Sequence, residues 1–195
     1  MQILKDVAEN SLKAYQVEKS LCQLYNLIIC SEETIKPHAS EILKQIVYKH
    51  IINDDHKQIS HRVRFLLLQV HSIAELLGLY VETDFIITMM LQHITDAESK
   101  QVPLFVRSSL LAFSCVLKRT SEKFDQLEKH IKPLLKVILS GDFLQSENTG
   151  VLQCVLRVAN ALVIASGKLC QNYQTDFFKI MLQLGAIPQL VQEKP

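Results

Sequence analysis

The chain repeats itself along its length. Val81-Glu82-Thr83-Asp84-Phe85 with Met89 returns as Tyr173-Gln174-Thr175-Asp176-Phe177 with Met181, an offset of 92 residues. Ile35-Lys36-Pro37 returns as Ile131-Lys132-Pro133 after 96, and Val63-Arg64 as Val106-Arg107 after 43, with Val151-Leu152 a further 45 on. These offsets are one or two multiples of a unit of about 46 residues. A period between roughly 20 and 50 residues marks stacked repeats, in which each unit buries its apolar face only against its neighbours.

Inside each unit the apolar residues recur every three or four positions, the period of a helix with one buried face. The second helices carry Ile59, Val63, Leu66, Val70, Ile73 and Leu77, then Val106, Leu110, Phe113 and Leu117, then Val151, Val155, Val158 and Leu162. The first helices carry Ile42 and Ile46, then Ile86, Met90 and Ile94, then Leu127, Ile131, Leu134 and Ile138, and last Phe177, Met181 and Leu184. A leading helix shows Val17, Leu21, Leu24 and Ile28. The pattern predicts an all-α solenoid of antiparallel helix pairs. Residues 1–195 form a single segment, with a leading helix at 11–30, pairs at 33–78, 81–119 and 124–167, and a partial pair at 172–195.

The breaks fall between these stripes. Gly78 and Gly167 read as helix-ending glycines in the left-handed conformation, and Pro103 as a first helical residue, where no backbone N–H is needed. Asp54-Asp55, Asp96 and Gly141-Asp142 read as turns between first and second helices. With only 5 Gly and 5 Pro, the chain has little turn chemistry for many short strands.

Charge narrows the function. Lys and Arg number 21 against 20 Asp and Glu, a formal net charge of +1, so no large field draws the chain to nucleic acid or to an acidic membrane. No apolar run approaches the roughly 18 residues of a membrane span, and no signal-peptide pattern opens the sequence. Cys22, Cys30, Cys115, Cys154 and Cys170 are odd in number, without a C-x-x-C, and read as buried thiols of a reducing compartment. The expectation is a soluble cytoplasmic, or nuclear, protein.

The catalytic and metal motifs are weak. Asp54-Asp55-His56 with His61 has metal-binding residue types but lacks the second ligand pair of a zinc site, and reads as capping chemistry. His38, His50, His71, His93 and His130 are scattered over several helices. No nucleophile elbow, phosphate loop or His-Glu-x-x-His is found. Lys118-Arg119, Lys129, Lys132 and Lys136 interleave with Glu122, Asp125 and Glu128, which reads as a mixed solvated face. Met89-Met90 reads as core rather than as an adaptable peptide groove. The expectation is no enzyme, no metal and no cofactor.

Units of 43 to 46 residues with Pro37 and Pro133 in first helices, Asp54, Asp96 and Asp142 in turns, and Arg64 and Arg107 opening second helices resemble the HEAT repeat. Leu152 replaces the arginine in the third copy, and Gly185-Ala186-Ile187-Pro188-Gln189-Leu190-Val191 resembles the opening of an armadillo repeat. In a HEAT unit such Asp and Arg residues can bridge neighbouring repeats. Ala74-Glu75-Leu76-Leu77-Gly78-Leu79-Tyr80-Val81 with Phe85, and Gln145-Ser146-Glu147-Asn148, resemble the middle section of the HEAT-repeat axonemal dynein assembly factors. That resemblance implies a piece of a longer cytoplasmic scaffold that preassembles dynein arms for motile cilia. Its implied partners are axonemal dynein intermediate or heavy chains and co-chaperones, without nucleic acid or membrane. The alternative is another HEAT or armadillo scaffold, serving nuclear transport, phosphatase assembly or tubulin.

Overall fold

The computed structural model describes residues 14–51, 61–99, 103–120, 124–138 and 149–185. Among these there is no strand. Helix α1 spans Ala14–Ser31. A continuous helical run over 32–50, here α2, changes pitch along its length: a 3-10 turn Glu32–His38, an α turn Ala39–Ile42, a π-helical stretch Leu43–Val47 and a last α turn Tyr48–His50. Then come α3 (His61–Tyr80), α4 (Thr83–Ser99), α5 (Pro103–Thr120), α6 (Phe124–Ile138) and α7 (Thr149–Ser166). A 3-10 turn, Gly167–Tyr173, leads into α8 (Gln174–Gly185).

The helices lie in two rows. Helices α1, α3, α5 and α7 stack in chain order, each against the next, and form the more extensive contacts of the molecule. In the second row α4 packs on α6, and cross-contacts of α4 with α5 and of α6 with α7 tie the rows together. Helices adjacent in the first row are separated in the chain by a helix of the second, so this is a helix-pair solenoid. The fold class is all-α.

The apolar stripes account for the rows. Leu21, Leu24 and Ile28 of α1 are buried, as are Val70, Ile73 and Leu77 of α3 and Val151, Val155, Val158 and Leu162 of α7. Helix α5 is buried almost all round, from Val106 through Leu117, because it has a neighbour in each direction. Helix α6 is the opposite case: Leu127, Ile131, Leu134 and Ile138 are buried while Glu128, Lys129, Lys132, Pro133 and Lys136 face solvent. Pro133 sits on that wet face, where water can satisfy the carbonyl its missing N–H leaves open. Each fully buried Leu, Ile or Val contributes about 1.5–3 kcal/mol before entropy is counted.

Pro103 is the first residue of α5, and Gly167 has a φ of 49°, closing α7 in the left-handed conformation. Gly78 differs from its sequence reading. It lies inside α3, and α-type bonding continues past it, with the Val81 N–H donating to the Leu77 carbonyl. Its role is close approach: a Cβ there would stand 2.3 Å from the carbonyl oxygen of Val116 on α5. Asp96 also departs from expectation. It lies within the last turn of α4, because Ala97-Glu98-Ser99 contains nothing that breaks a helix. Val63 and Leu184 lie in helices whose side chains there fall outside the description, and Ile59, Asp54, Asp55, Gly141 and Asp142 lie outside the described residues.

Gly78→Ala therefore sets a helix-propensity gain of about 1 kcal/mol against a backbone clash that must push α3 off α5, costing roughly 2–3 kcal/mol. Denaturant unfolding should show a lower midpoint with an unchanged slope. A variant as stable as the parent would show that α3 and α5 do not approach this closely.

Candidate protein-binding surface

Polar contacts between helices of the second row join residues one repeat apart. Lys36 on α2 pairs with Glu82, the residue preceding α4, at a separation of 46. Asp84 on α4 accepts from Lys129 and pairs with His130, both on α6, at separations of 45 and 46. The Asp84 Oδ1 to His130 Nε2 distance is 2.6 Å. The first row has its own links: Lys118 on α5 reaches Glu75 on α3 at 3.3 Å, and Gln69 Nε2 on α3 donates to Cys22 Sγ on α1 at 2.9 Å. Lys129 and then His130 hold the Asp84 carboxyl below the usual carboxylate range.

Between α2 and α4 these links frame an open groove of about 680 Å³. Lys36, Ser40 and Lys44 line it from α2, with Phe85, Met89 and His93 from α4. The π-helical stretch carries Lys44 on the surface while Leu43, Ile46 and Val47 stay fully buried. Phe85 is 38% exposed, with the Lys36 ammonium 5.0 Å from its ring centre. Met89 is half-buried against the core and Met90 is buried within it. Of the pair read as core, only Met90 is wholly so.

The groove's base is polar and closed. Tyr48 Oη lies 2.9 Å from His93 Nδ1, and Ser40 Oγ lies 3.5 Å from Nε2. Burial raises the Tyr48 pKa, so its hydroxyl keeps its proton. With the imidazole proton on Nε2, facing Ser40, the Tyr48 O–H donates to Nδ1; in the other tautomer Nδ1–H donates to the Tyr48 oxygen. Tyr48 also stacks edge-on against Phe105, at 5.2 Å between ring centres. Burial first, then Lys44, pushes His93 down to about 4, against an opposing pull from Asp96. The ring is neutral at pH 7 and works as a hydrogen-bonding core residue. Sequence reading grouped it only with the scattered histidines; its spacing of 45 from Tyr48 was the available signal.

The repeat positions named from sequence do not gather into one site. Pro37 is exposed in the 3-10 turn of α2, Pro133 on the wet face of α6, and Asp96 on the rim of the groove. Arg107, half-buried on α5, lies across Gly150 at the start of α7, its Cζ 3.0 Å from where a Cβ there would sit. It thus reaches the next repeat, and the absence of a side chain at Gly150 makes the room. Arg64 belongs to α3 with its side chain outside the description, and Asp54 and Asp142 lie outside the described residues, as does Asp54-Asp55-His56.

Two of the thiols correct the sequence reading. Cys115 and Cys154 are buried, but Cys22 is half-buried and Cys30 exposed. On α1 two residues past Ile28 is about 200° around the helix, which turns Cys30 away from the buried stripe. Cys170 has its side chain outside the description. Burial pushes Cys115 up to about 11, so it remains a thiol at neutral pH. Among the described residues no three His, Cys, Asp or Glu gather as metal ligands, and no helix is long and apolar enough to cross a membrane.

Stacked helix pairs with side-chain links one repeat apart define a HEAT-type solenoid, a class built to present extended surface to other proteins. The family profile described as "Dynein axonemal assembly factor 5, HEAT-repeat domain" matches residues 1–188. The chain belongs to this family. No curated protein and no solved structure matches it significantly.

The depressed pKa of His93 makes a pH prediction with a definite sign. Its contribution is fully present above the unfolded value of 6.5 and is lost as pH falls from there toward about 4, because only the unfolded chain takes up the proton. Lowering the pH from 7 to 5 should reduce the melting temperature. His93→Gln, less stable at pH 7, should show a smaller drop over the same interval; equal slopes would mean that His93 is solvated.

Proposed function

We propose that the protein is a non-catalytic cytoplasmic scaffold in the preassembly of axonemal dynein arms for motile cilia, binding dynein intermediate or heavy chains or the co-chaperones that fold them. The observation that carries this reading is the family profile running through almost the whole chain. The fold supports it physically. Each repeat contacts only its neighbours, so long faces of both rows remain available to a client, and the near-neutral net charge of +1 suits surfaces of mixed sign. Residues 1–195 act as one HEAT segment, with three full helix pairs at 33–78, 81–119 and 124–167. In it Pro37, Asp54, Arg64, Asp96, Arg107, Pro133 and Asp142 are structural positions of the repeat and carry no chemistry. Nucleic acid and membrane have no part in the reading.

Affinity purification of the full-length protein from the cytosol of differentiating multiciliated cells tests it. Axonemal dynein chains and co-chaperones should be enriched, and removal of the protein should leave cilia present but short of dynein arms. Dynein arms that form normally without it, or the protein found as a permanent axonemal component, would defeat the assignment and leave the solenoid intact.

A further inference from the structure

The groove between α2 and α4 has a chemical imbalance. Its acids are already engaged: Glu82 by Lys36, Asp84 by Lys129 and His130, and Asp96 by an interaction within the fold. Lys44 is exposed and takes part in no hydrogen bond or ion pair among the described residues. Phe85 and Met89 line the α4 side of the same groove and add apolar surface to an otherwise charged row. Lys36 attends Phe85 at 5.0 Å. The exposed amide and hydroxyl of Gln92 and Thr88 add hydrogen-bonding groups along the same wall.

Two further features mark the groove as more than a packing defect. The π-helical stretch Leu43–Val47 interrupts α2 at the residue that carries the unsatisfied cation, and such interruptions are frequent at functional sites because they cost regular hydrogen bonding. The volume of about 680 Å³ lies within the range of natural ligand clefts. The base is held by Tyr48, His93 and Ser40, so the walls are fixed before any occupant arrives, which lowers the entropic cost of binding.

We propose that this groove binds an acidic, apolar peptide segment of a partner protein, with a carboxylate on Lys44 and an aliphatic side chain on Phe85 and Met89. The complementarity is specific in sign. Glu82 and Asp84 are ion-paired within the fold, so a basic peptide would have to displace those pairs, whereas an acidic one meets Lys44, which has no ion-pair partner among the described residues. The inference rests on the scaffold reading only in taking the occupant to be a protein, and it does not depend on which client that is.

Synthetic peptides test it by fluorescence anisotropy against the whole chain. One alternates glutamate with a leucine at every fourth position, a second replaces the glutamates by lysine, and a third replaces the leucines by serine. The glutamate–leucine peptide should bind about tenfold more tightly than either of the others, more weakly at high salt, and with a shift of the Met89 methyl resonance. Lys44→Glu should reverse the preference between the first two peptides, and Phe85→Ala should weaken the first. Lys132→Glu, on the exposed face of α6 outside the groove, should change nothing. Both groove positions are exposed, so circular dichroism should show both variants folded. Preference for the lysine peptide, an unchanged order in Lys44→Glu, or no binding by any peptide overturns the proposal. So does self-association of the chain that Phe85→Ala abolishes, which would make a second copy the occupant. Dynein or co-chaperone capture that survives Lys44→Glu and Phe85→Ala overturns the groove assignment while leaving the scaffold reading in place.

Discussion

Everything in this molecule leans on α5. It is packed by α3 on one side and α7 on the other, with α4 alongside, and its residues from Ser108 to Leu117 are buried, including Ser108, Ser109 and Ser114. Those serines are tolerated because each hydroxyl donates back to a carbonyl of the same helix, Ser108 and Ser109 to Phe105 and Ser114 to Leu111. Small residues there, with Gly78 opposite Val116, let α3 and α5 approach closely. A helix pair without its neighbours would leave such faces open to water, so stability belongs to the stack and not to any one repeat.

Magnitudes separate what holds the stack from what orders it. An exposed ion pair is worth at most about 1 kcal/mol, whereas each large buried side chain is worth about 1.5–3 kcal/mol. The pairs of Lys36 with Glu82 and of Lys129 with Asp84 are thus a minor source of stability. Their consistent one-repeat spacing gives them a different use. Apolar faces slide past one another at little cost, while charges of fixed position favour one register. Tyr48 and His93, buried and hydrogen-bonded, lock the same register from inside.

Much of this was legible in residues alone. The 92-residue offset and the three- and four-residue stripes give the helices and their buried faces, and Pro103 and the left-handed Gly167 mark ends. What escaped depends on the third dimension. Gly78 has the same local look as Gly167, yet one ends a helix and the other admits a neighbouring backbone. Nothing in Leu43-Lys44-Gln45-Ile46-Val47 announces a π-helical stretch, whose Leu43, Ile46 and Val47 are all fully buried. The groove was missed for a related reason: a pairwise period of about 46 links Lys36 to Glu82 and Tyr48 to His93, but repeat counting looks for likeness, and these partners are unlike. Cys30 was assigned to the core from its apolar setting, although its angle around α1 sends it outward.

Stability is shared along the row α3, α5, α7 and declines away from it. Native-state hydrogen exchange followed by mass spectrometry measures this helix by helix. Helix α5 should exchange most slowly, opening together with α3 and α7 in one cooperative step, while α8 exchanges faster. Independent exchange of each helix pair, or α8 protected as well as α5, would contradict it.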